Sequence, residues 1–255
     1  MTTLSVVATP IGNLEDITLR ALRVLKEADL ILCEDTRVTK KLLSHYGIRT
    51  PTLSYHARSG VSKINRIIAL LEEGKNLALV SDAGTPTISD PGSTLVRAVR
   101  SHSMASQEVV DGFDQRKKLS YNLNSACKAR EHFGESVAVV AIPGPSAVAA
   151  ALSVAGVPAS EFLFLGFLPH KKGRRTLFGE IARSKRVVVF YESPHRIMKT
   201  LESLQTHAGD RRVEILRELT KIYEEALEGT PAMLLDRFTR QPEKQRGEFV
   251  VIVAP

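Results

Sequence analysis

The 255-residue sequence has no tryptophan, only two cysteines and 5% aromatic residues. Cys33 and Cys127 lack the spacing of a disulfide framework or a metal site, and the seven histidines show no paired ligand spacing. The sequence therefore gives no support for metal chemistry. Cys33 follows the apolar run Leu30–Leu32, so we expect it to be a small buried hydrophobic residue.

Long apolar runs and nucleotide-binding motifs are also absent. No stretch approaches the roughly 18 apolar residues of a membrane span. The first apolar segment, Leu4–Ala8, is cut short by Pro10 and Gly12, which is typical of a strand rather than a signal peptide. We expect a cytoplasmic protein that makes no use of a membrane. Neither G-x-x-x-x-G-K-[ST] nor G-x-G-x-x-G occurs, which disfavours a nucleoside triphosphatase or a dinucleotide-dependent dehydrogenase.

Positive charge is in excess and is concentrated in one segment. The net charge is +7, which permits a polyanionic partner without requiring one. Residues 170–199 contain nine lysines and arginines against only Glu180 and Glu192. Such a segment is either a solvated helix face or a surface that contacts phosphates, because lysine and arginine release counterions when they bind nucleic acid.

Apolar strands alternate with amphipathic helices along most of the chain, which predicts two α/β domains with mainly parallel sheets, at 1–142 and 143–255. The predicted strands are Leu4–Thr9, Leu30–Cys33, Leu53–His56, Leu77–Ser81, Val137–Ile142, Phe162–Gly166, Arg186–Tyr191, Val213–Leu216 and Glu248–Val253. Helices are predicted near 17–28, 36–47, 64–71 and 146–155, with a basic helix before the seventh strand.

Residues 101–136 interrupt this pattern. The segment is polar, with weak periodicity and few aliphatic residues. Loops of this length are uncommon inside compact domains. We interpret the segment as a surface insertion that is partly helical near Ser125–Phe133.

Three segments rich in glycine and proline follow predicted strands: Ala8–Asn13, Ser81–Gly92 and Ile142–Ala147. Glycine lets a backbone approach a ligand closely, and proline fixes a turn. In parallel α/β sheets, ligands bind beyond the carboxyl ends of the strands. One such loop is normally a turn, but three at one edge indicate a ligand site. Their small residues and the Asp82 carboxylate suit an adenosine group that carries an amino-acid tail.

Seven motifs in this order resemble one family. They are Val7–Leu22, Glu34–Arg37, Ser81–Gly92, Ile142–Ala147, Gly166–Pro169, Phe190–Arg196 and Arg217–Lys221. Together they resemble the bacterial small-subunit ribosomal RNA methyltransferases that modify the 2′-hydroxyl of a cytidine, a branch of the tetrapyrrole methylases. The resemblance covers nearly the whole chain outside 101–136.

The resemblance implies two α/β domains with S-adenosylmethionine in the cleft between them, a homodimer, and ribosomal RNA or the small ribosomal subunit as substrate. The cofactor residues that it implies are Pro10, Asp82, Ala83, Gly84, Thr85, Ile88, Ser146, Ala147, Leu165 and Tyr191. With an RNA substrate, the basic segment and its neighbouring motif would supply phosphate contacts from Lys171, Lys172, Arg174, Arg175 and Arg196.

Methyl transfer to a ribose hydroxyl depends mainly on alignment of the reacting atoms, and a positioned base should help because the hydroxyl is a poor nucleophile. Lysine serves as a base only if its pKa is lowered. The sequence does not select one residue among the candidates, which are Glu34, Asp35, Arg37, Glu192, Lys221 and Glu224.

Two alternatives remain. A methyltransferase of the same fold that acts on a tetrapyrrole or another small molecule should have an aromatic-lined cleft, which the low aromatic content disfavours. An RNA-binding relative without catalysis is disfavoured by the intact cofactor loops.

Overall fold

The computed structural model describes residues 2–90, 92–115 and 137–255. The chain divides into an N-terminal unit, Met1–Pro10 with Leu14–Pro145, and a C-terminal unit, Ile11–Asn13 with Ser146–Pro255. The division after Pro145 lies three residues beyond the position expected from the sequence. The assignment of residues 11–13 to the C-terminal unit has no counterpart in the sequence pattern.

The N-terminal unit contains a five-stranded sheet in the order β3-β2-β4-β1-β5. Every pairing in it is parallel, as predicted. Its strands are short apolar segments: β1 (Thr3–Val7), β2 (Leu30–Cys33), β3 (Thr52–Ser54), β4 (Leu77–Leu79) and β5 (Ala138–Ile142). Cys33 is buried in the core beside this sheet, as expected, whereas Cys127 lies outside the described residues.

Among the described residues, four helices cover the two faces of this sheet: α1 (Leu19–Glu27), α2 (Thr36–His45), α3 (Val61–Glu72) and α4 (Gly92–Gln115). Ala21 of α1 and Leu43 of α2 pack into one core, while Ile67 of α3 and Leu95 of α4 pack into the other. The segments after β1 and β2 therefore lead to one face, and the segment after β4 leads to the opposite face. This divergence makes the carboxyl end of β4 the topological switch point of the sheet.

The C-terminal unit contains a second five-stranded sheet, in the order β6-β7-β10-β8-β9. Its strands are β6 (Phe162–Phe167), β7 (Val187–Glu192), β8 (Val213–Arg217), β9 (Glu225–Gly229) and β10 (Phe249–Val253). Its helices are α5 (Ala147–Val154), α6 (Arg174–Arg183), α7 (Ile197–Ala208) and α8 (Pro231–Arg240). Helices α6, α7 and α8 bury one face of the sheet around Phe178, Leu201 and Leu234, and α5 buries the other face.

The prediction of a mainly parallel sheet is wrong for the C-terminal unit. Only β6 and β7 pair in parallel, and the other three pairings are antiparallel. The cause is the unpredicted strand β9, which is joined to β8 by residues 218–224 alone. So short a connection allows only an antiparallel pair, because parallel strands need a crossover of about a dozen residues or more.

The polar segment 101–136 begins as helix. Helix α4 is 24 residues long and extends to Gln115, so residues 101–115 continue the helix that starts at Gly92. The helix expected near Ser125–Phe133 lies outside the described residues. Within the described ranges no helix, α4 included, has both the length and the apolar character needed to cross a membrane.

Two glycines of the C-terminal unit should respond oppositely to alanine. Gly247 has φ of +103°, and a Cβ there would lie 2.6 Å from Glu218 Cγ. Gly247→Ala should therefore lower the free energy of unfolding by about 2 kcal/mol. Gly179 lies inside α6, where a Cβ would make only ordinary contacts with Arg183. Gly179→Ala should raise it by about 0.5–1 kcal/mol.

Urea denaturation of both variants beside the wild type measures these changes. Equal shifts of the same sign would contradict the backbone explanation, since both substitutions add one methyl group.

Candidate active site

The three glycine- and proline-rich loops lie side by side at one edge of the N-terminal sheet. They follow β4, β1 and β5, which are consecutive neighbours in the sheet. Thr9 and Gly84 exchange two backbone hydrogen bonds, of 2.9 and 3.0 Å. The Thr85 hydroxyl donates to the Pro145 carbonyl oxygen at 3.0 Å. Direct hydrogen bonds therefore tie the loops to one another.

Gly84 was expected to let a ligand approach its backbone, but its backbone groups are already hydrogen-bonded within the protein. The reason for a glycine at this position is its backbone conformation. Its N–H and carbonyl groups are both used by Thr9, and its φ is +78°. Thr87 and Ser89 in the same loop also have positive φ, of 74° and 67°. Strained non-glycine residues of this kind cost about 1–3 kcal/mol each and cluster at functional sites. The surrounding structure therefore holds the backbone of this loop in a conformation that Thr87 and Ser89 would not adopt on their own.

A pocket of about 190 Å³ opens beside these loops, within the N-terminal unit. It is lined by Thr9, Pro10, Leu14, Val38, Thr39, Lys41, Leu42, Ser81 and Asp82. The Thr39 hydroxyl oxygen is buried and makes no hydrogen bond of standard geometry among the residues that the structure describes, although it lies near enough to the Cys33 thiol to lower the pKa of that thiol. Buried polar atoms are nearly always hydrogen-bonded, so this atom indicates a place for a polar group of a ligand. The volume is below the 300–1,000 Å³ typical of complete ligand sites, so the pocket would hold part of a cofactor.

Asp35 and Arg37 are engaged with each other at this edge. Asp35 caps α2 by accepting a hydrogen bond from the Arg37 N–H, and its carboxylate pairs with the Arg37 guanidinium at 2.7 Å. These bonds from Arg37 lower the pKa of Asp35 to about 2. The Asp35 N–H in turn donates to Asp82 Oδ1 at 3.0 Å. Asp35 is therefore a weak base that fixes the start of α2.

Asp90 belongs to this edge and was missed among the candidate residues. Its pKa is raised to about 6: burial is the largest cause, the carboxylates of Glu34 and Asp82 also raise it, and the hydrogen bond with the Ser81 hydroxyl lowers it. Glu34 is half-buried and Asp82 is exposed. Asp90 belongs to the glycine- and proline-rich segment Ser81–Gly92, but the sequence does not show that two other carboxylates lie near it.

The remaining cofactor candidates have different surroundings. Ala83 and Ile88 are exposed in the loop after β4. In the C-terminal unit, Ser146 precedes α5 and Ala147 is its first residue, and both are half-buried.

Leu165 and Tyr191 do not lie on the same face of the second sheet. Leu165 packs against the core under α6, α7 and α8, whereas Tyr191 packs on the α5 side. The Tyr191 ring lies 5.0 and 5.4 Å from the rings of Phe164 and Phe167. The two cofactor residues expected in this unit therefore face opposite sides of its sheet.

Lys221 does not have the surroundings of a general base. Its ammonium group pairs with the carboxylates of Glu218 and Glu248, each at 2.9 Å. Burial alone lowers the pKa of Lys221, but the two carboxylates outweigh it and the net shift is upward. A lysine base needs the opposite shift. Glu224 is exposed, and its carboxylate accepts the Thr220 N–H at 2.6 Å.

The loop that carries Lys221 packs closely on residues 11–13. The Asn13 N–H donates to the Thr220 hydroxyl at 3.1 Å, and a Cβ on Gly12 would lie 2.5 Å from Lys221 Cγ. This contact explains why residues 11–13 belong to the C-terminal unit, and why position 12 of the first motif is glycine.

Glu192 is fully buried and cannot act as an exposed base. Its carboxylate accepts hydrogen bonds from the Thr200 hydroxyl at 2.6 Å and the Ser193 N–H at 2.9 Å, and pairs with Arg196 at 3.1 Å. Arg174 and Arg196 were expected to contact RNA, but their side chains are only 16% and 14% exposed. The structure corrects the expected RNA contacts of Arg174 and Arg196, because both guanidinium groups face the buried Glu192 carboxylate.

Lys171, Lys172 and Arg175 are exposed, as a phosphate-contacting surface requires. We call these three residues the basic surface. It is the part of the predicted RNA contact set that remains available to a partner.

Solved structures with similar folds cover nearly the whole chain. Uroporphyrin-III C-methyltransferase from Thermus thermophilus matches with a TM-score of 0.60 and 19% identity, over 100% of this chain and 94% of that one. A diphthine synthase matches with a TM-score of 0.63 and 13% identity, over 99% and 90%. At these identities the likeness establishes the fold.

Sequence relatives are much closer. A Thermotoga maritima protein named ribosomal RNA small subunit methyltransferase I is 42% identical over 251 residues, 98% of this chain and 97% of that protein. The protein of the same name from Halalkalibacterium halodurans is 47% identical over 252 residues, 98% of this chain and 75% of that protein.

The sequence model of the tetrapyrrole (corrin/porphyrin) methylases matches residues 3–112 and 123–234. These residues include the three interlocked loops and the whole second sheet except β10. The fold, the sequence relatives and the match to the family model agree, and the chain belongs to the tetrapyrrole methylase family.

Proposed function

We propose that this protein methylates the 2′-hydroxyl of a cytidine in small-subunit ribosomal RNA, with S-adenosylmethionine as the methyl donor. The observation that carries the proposal is the edge of the N-terminal sheet, where interlocked loops, a pocket and a cluster of carboxylates meet at the switch point. The RNA substrate is taken from the names of relatives more than 40% identical over nearly the whole chain.

The residues at this edge fit S-adenosylmethionine. The sulfonium and ammonium cations of the cofactor outnumber its single carboxylate, which suits the nearby Glu34, Asp82 and Asp90. Lys41 at the pocket offers a cation for that carboxylate, and the buried Thr39 hydroxyl offers a hydrogen bond. When bound, the cofactor supplies a methyl group activated by positively charged sulfur.

In the N-terminal unit, the residues proposed to contact the cofactor are Pro10, Asp82, Ala83, Thr85 and Ile88. Gly84 acts through the conformation of its loop. A cofactor role for Ser146, Ala147, Leu165 and Tyr191 stays a prediction.

We propose Asp90 as the group that accepts the proton of the ribose hydroxyl. With a pKa of about 6 it is mostly ionised at neutral pH, yet it binds a proton more readily than Asp35, whose pKa is about 2. A base works best when its pKa lies near the working pH. The adjacent Glu34 contributes by raising the pKa of Asp90.

The basic surface is the proposed contact for RNA phosphates, on naked ribosomal RNA or on the small subunit. We further propose that the protein acts in the cytoplasm as a homodimer. Phe162, Leu163 and Phe167 support a dimer, because these apolar side chains are exposed on the edge strand β6.

Purified protein should bind S-adenosylmethionine and its demethylated product in a calorimeter without added metal. Gly84→Val should abolish binding, because valine is strained at φ of +78° and would break the Thr9–Gly84 pairing that joins the loops. Gly74→Val is the matched control, since Gly74 has a similar φ of +85° with no atom within 4 Å of its Cβ position. Equal loss of binding in both variants would contradict the assigned site.

Replacing Lys171, Lys172 and Arg175 with alanine should weaken RNA binding and reduce the slope of log affinity against log salt by roughly two. The control triple variant replaces Lys26, Arg49 and Arg66, which are exposed in the N-terminal unit. Filter binding at several salt concentrations gives both slopes. If both triple variants change the slope alike, the basic surface has no special part in RNA binding.

Purified protein should transfer labelled methyl groups from S-adenosylmethionine to cytidine 2′-oxygens of small-subunit RNA. Asp90→Asn should slow this transfer roughly a hundredfold, because the amide cannot accept the proton. Nucleoside analysis after digestion measures product and rate together. Transfer to a tetrapyrrole but not to RNA would contradict the proposed function, and an unchanged rate would exclude Asp90 as proton acceptor.

The same variant has a predicted effect on stability. Because folding raises the pKa of Asp90 from 3.8 to about 6, its contribution is fully present below pH 3.8 and is lost as the pH rises through 6. Asp90→Asn should therefore gain stability relative to the wild type over this window. Asp35→Asn should show its difference at lower pH, because the pKa of Asp35 is depressed to about 2 and its contribution is lost as the pH falls towards that value. Denaturation across pH 2–8 tests both trends.

A further inference from the structure

The loop that joins β6 to α6 carries Lys171 and Lys172 and is anchored at its base. The Arg196 guanidinium donates to the Leu168 carbonyl oxygen at 2.6 Å. The Arg174 guanidinium donates to the Pro169 carbonyl oxygen at 3.3 Å. Each arginine thus ties one backbone carbonyl at the start of the loop to the body of the C-terminal unit.

Both arginines are held from behind by the Glu192 carboxylate, whose side chain is 0% exposed. Arg196 Nε lies 3.1 Å from Glu192 Oε1, while Arg174 NH2 lies 3.9 Å from Glu192 Oε2. The second pair is too long for a direct hydrogen bond. Another group has to join Arg174 to the carboxylate.

Thr200 of α7 is that group. Its hydroxyl donates to Glu192 Oε2 at 2.6 Å and accepts from Arg174 NH2 at 2.7 Å. A hydroxyl has one proton and two lone pairs, so it can do both at once, which a methyl group cannot. Arg174 also lies over the buried Phe178 ring, 5.0 Å from its centre, which fixes the guanidinium from a second side.

The cost of burying these charges suggests a positional role. Buried ion pairs often stabilise a fold no better than apolar residues of similar size, because each charge loses its hydration. Here the network holds two arginines against the carbonyl groups of Leu168 and Pro169, a short distance along the chain before the two exposed lysines. Ordering a surface loop at the moment of binding costs affinity, and a loop ordered beforehand avoids that cost.

We propose that Glu192, Thr200, Arg174 and Arg196 form a buried device that positions the loop Leu168–Gly173, so that Lys171 and Lys172 meet RNA phosphates without a prior ordering step. The inference rests on the proposed RNA substrate. Thr200 and Glu192 are positioning residues in it, and they make no contact with RNA themselves.

Thr200→Val keeps the side-chain shape and removes the hydroxyl, whereas Thr200→Ser keeps the hydroxyl and removes a methyl group. Thr200→Val should weaken RNA binding about threefold to tenfold with an unchanged salt slope, because the loop charges remain but are no longer held in place. Thr200→Ser should bind RNA within about twofold of the wild type. Amide hydrogen exchange of residues 170–173 should accelerate in Thr200→Val and not in Thr200→Ser.

General destabilisation is controlled by Leu201→Val, which perturbs the neighbouring buried position on α7 without touching the network. It should leave both RNA affinity and loop exchange unchanged. Glu192→Gln provides a second test of the network, with the same expected pattern as Thr200→Val, if the valine variant folds poorly.

Wild-type RNA affinity and loop exchange in both network variants would overturn the inference. So would a salt slope reduced as far as in the triple alanine variant of the basic surface, since that would mean lost contacts rather than lost order. If the wild type itself binds no RNA, the proposed substrate fails, and the inference falls with it. The exchange data would still report separately whether the network orders the loop.

Discussion

The order of the parallel sheet in the N-terminal unit is the constraint on which the candidate site depends. Strand β4 lies between β2 and β1, and the chain leaves β4 towards the opposite face from the one reached after β1 and β2. Loops that diverge in this way leave open space at the strand ends. The Thr9–Gly84 pairing closes the base of that space and keeps the loops in register. Thr9, one member of this pairing, lines the pocket together with Pro10 and Asp82.

Charge has two distinct uses in this chain, and burial separates them. At the edge of the N-terminal sheet, Glu34, Asp82 and Asp90 are near enough to one another to influence the pKa of Asp90. In the C-terminal unit, Arg174 and Arg196 are directed inward to Glu192, and Lys171 and Lys172 are directed to solvent. A count of basic residues cannot make this distinction, because the partners of each side chain come from distant parts of the chain.

Much of the fold could be predicted from the sequence, because most of its strands are short apolar runs bounded by charged residues or by glycine and proline. The run Leu30–Cys33 and the loop around Gly84 are examples, and both lie where the pattern places them. Strand β9 was missed because it has the sequence EALEG, in which only Leu227 is buried, and its main stabilisation is backbone pairing with β8. Missing it led directly to the wrong prediction of a mainly parallel second sheet.

The site was predictable to a similar extent. The motifs located the loops, but Asp90 and the buried Thr39 hydroxyl emerged only from the folded structure, as did the separation of Leu165 from Tyr191. Burial and neighbouring charge determine these properties, and neither is local in sequence. Lys221 shows the same limit: its motif suggested chemistry, but its two carboxylate partners raise its pKa.

The central claim is that the interlocked loops at the strand ends serve ribosomal RNA methylation. It is tested most directly by mass spectrometry of small-subunit ribosomal RNA nucleosides from a strain whose only copy of this protein carries Gly84→Val. The account predicts that one 2′-O-methylcytidine disappears in this strain, as in a strain without the protein, and returns with the wild-type chain. Full methylation in the Gly84→Val strain, or an unchanged nucleoside profile in the strain without the protein, would contradict it.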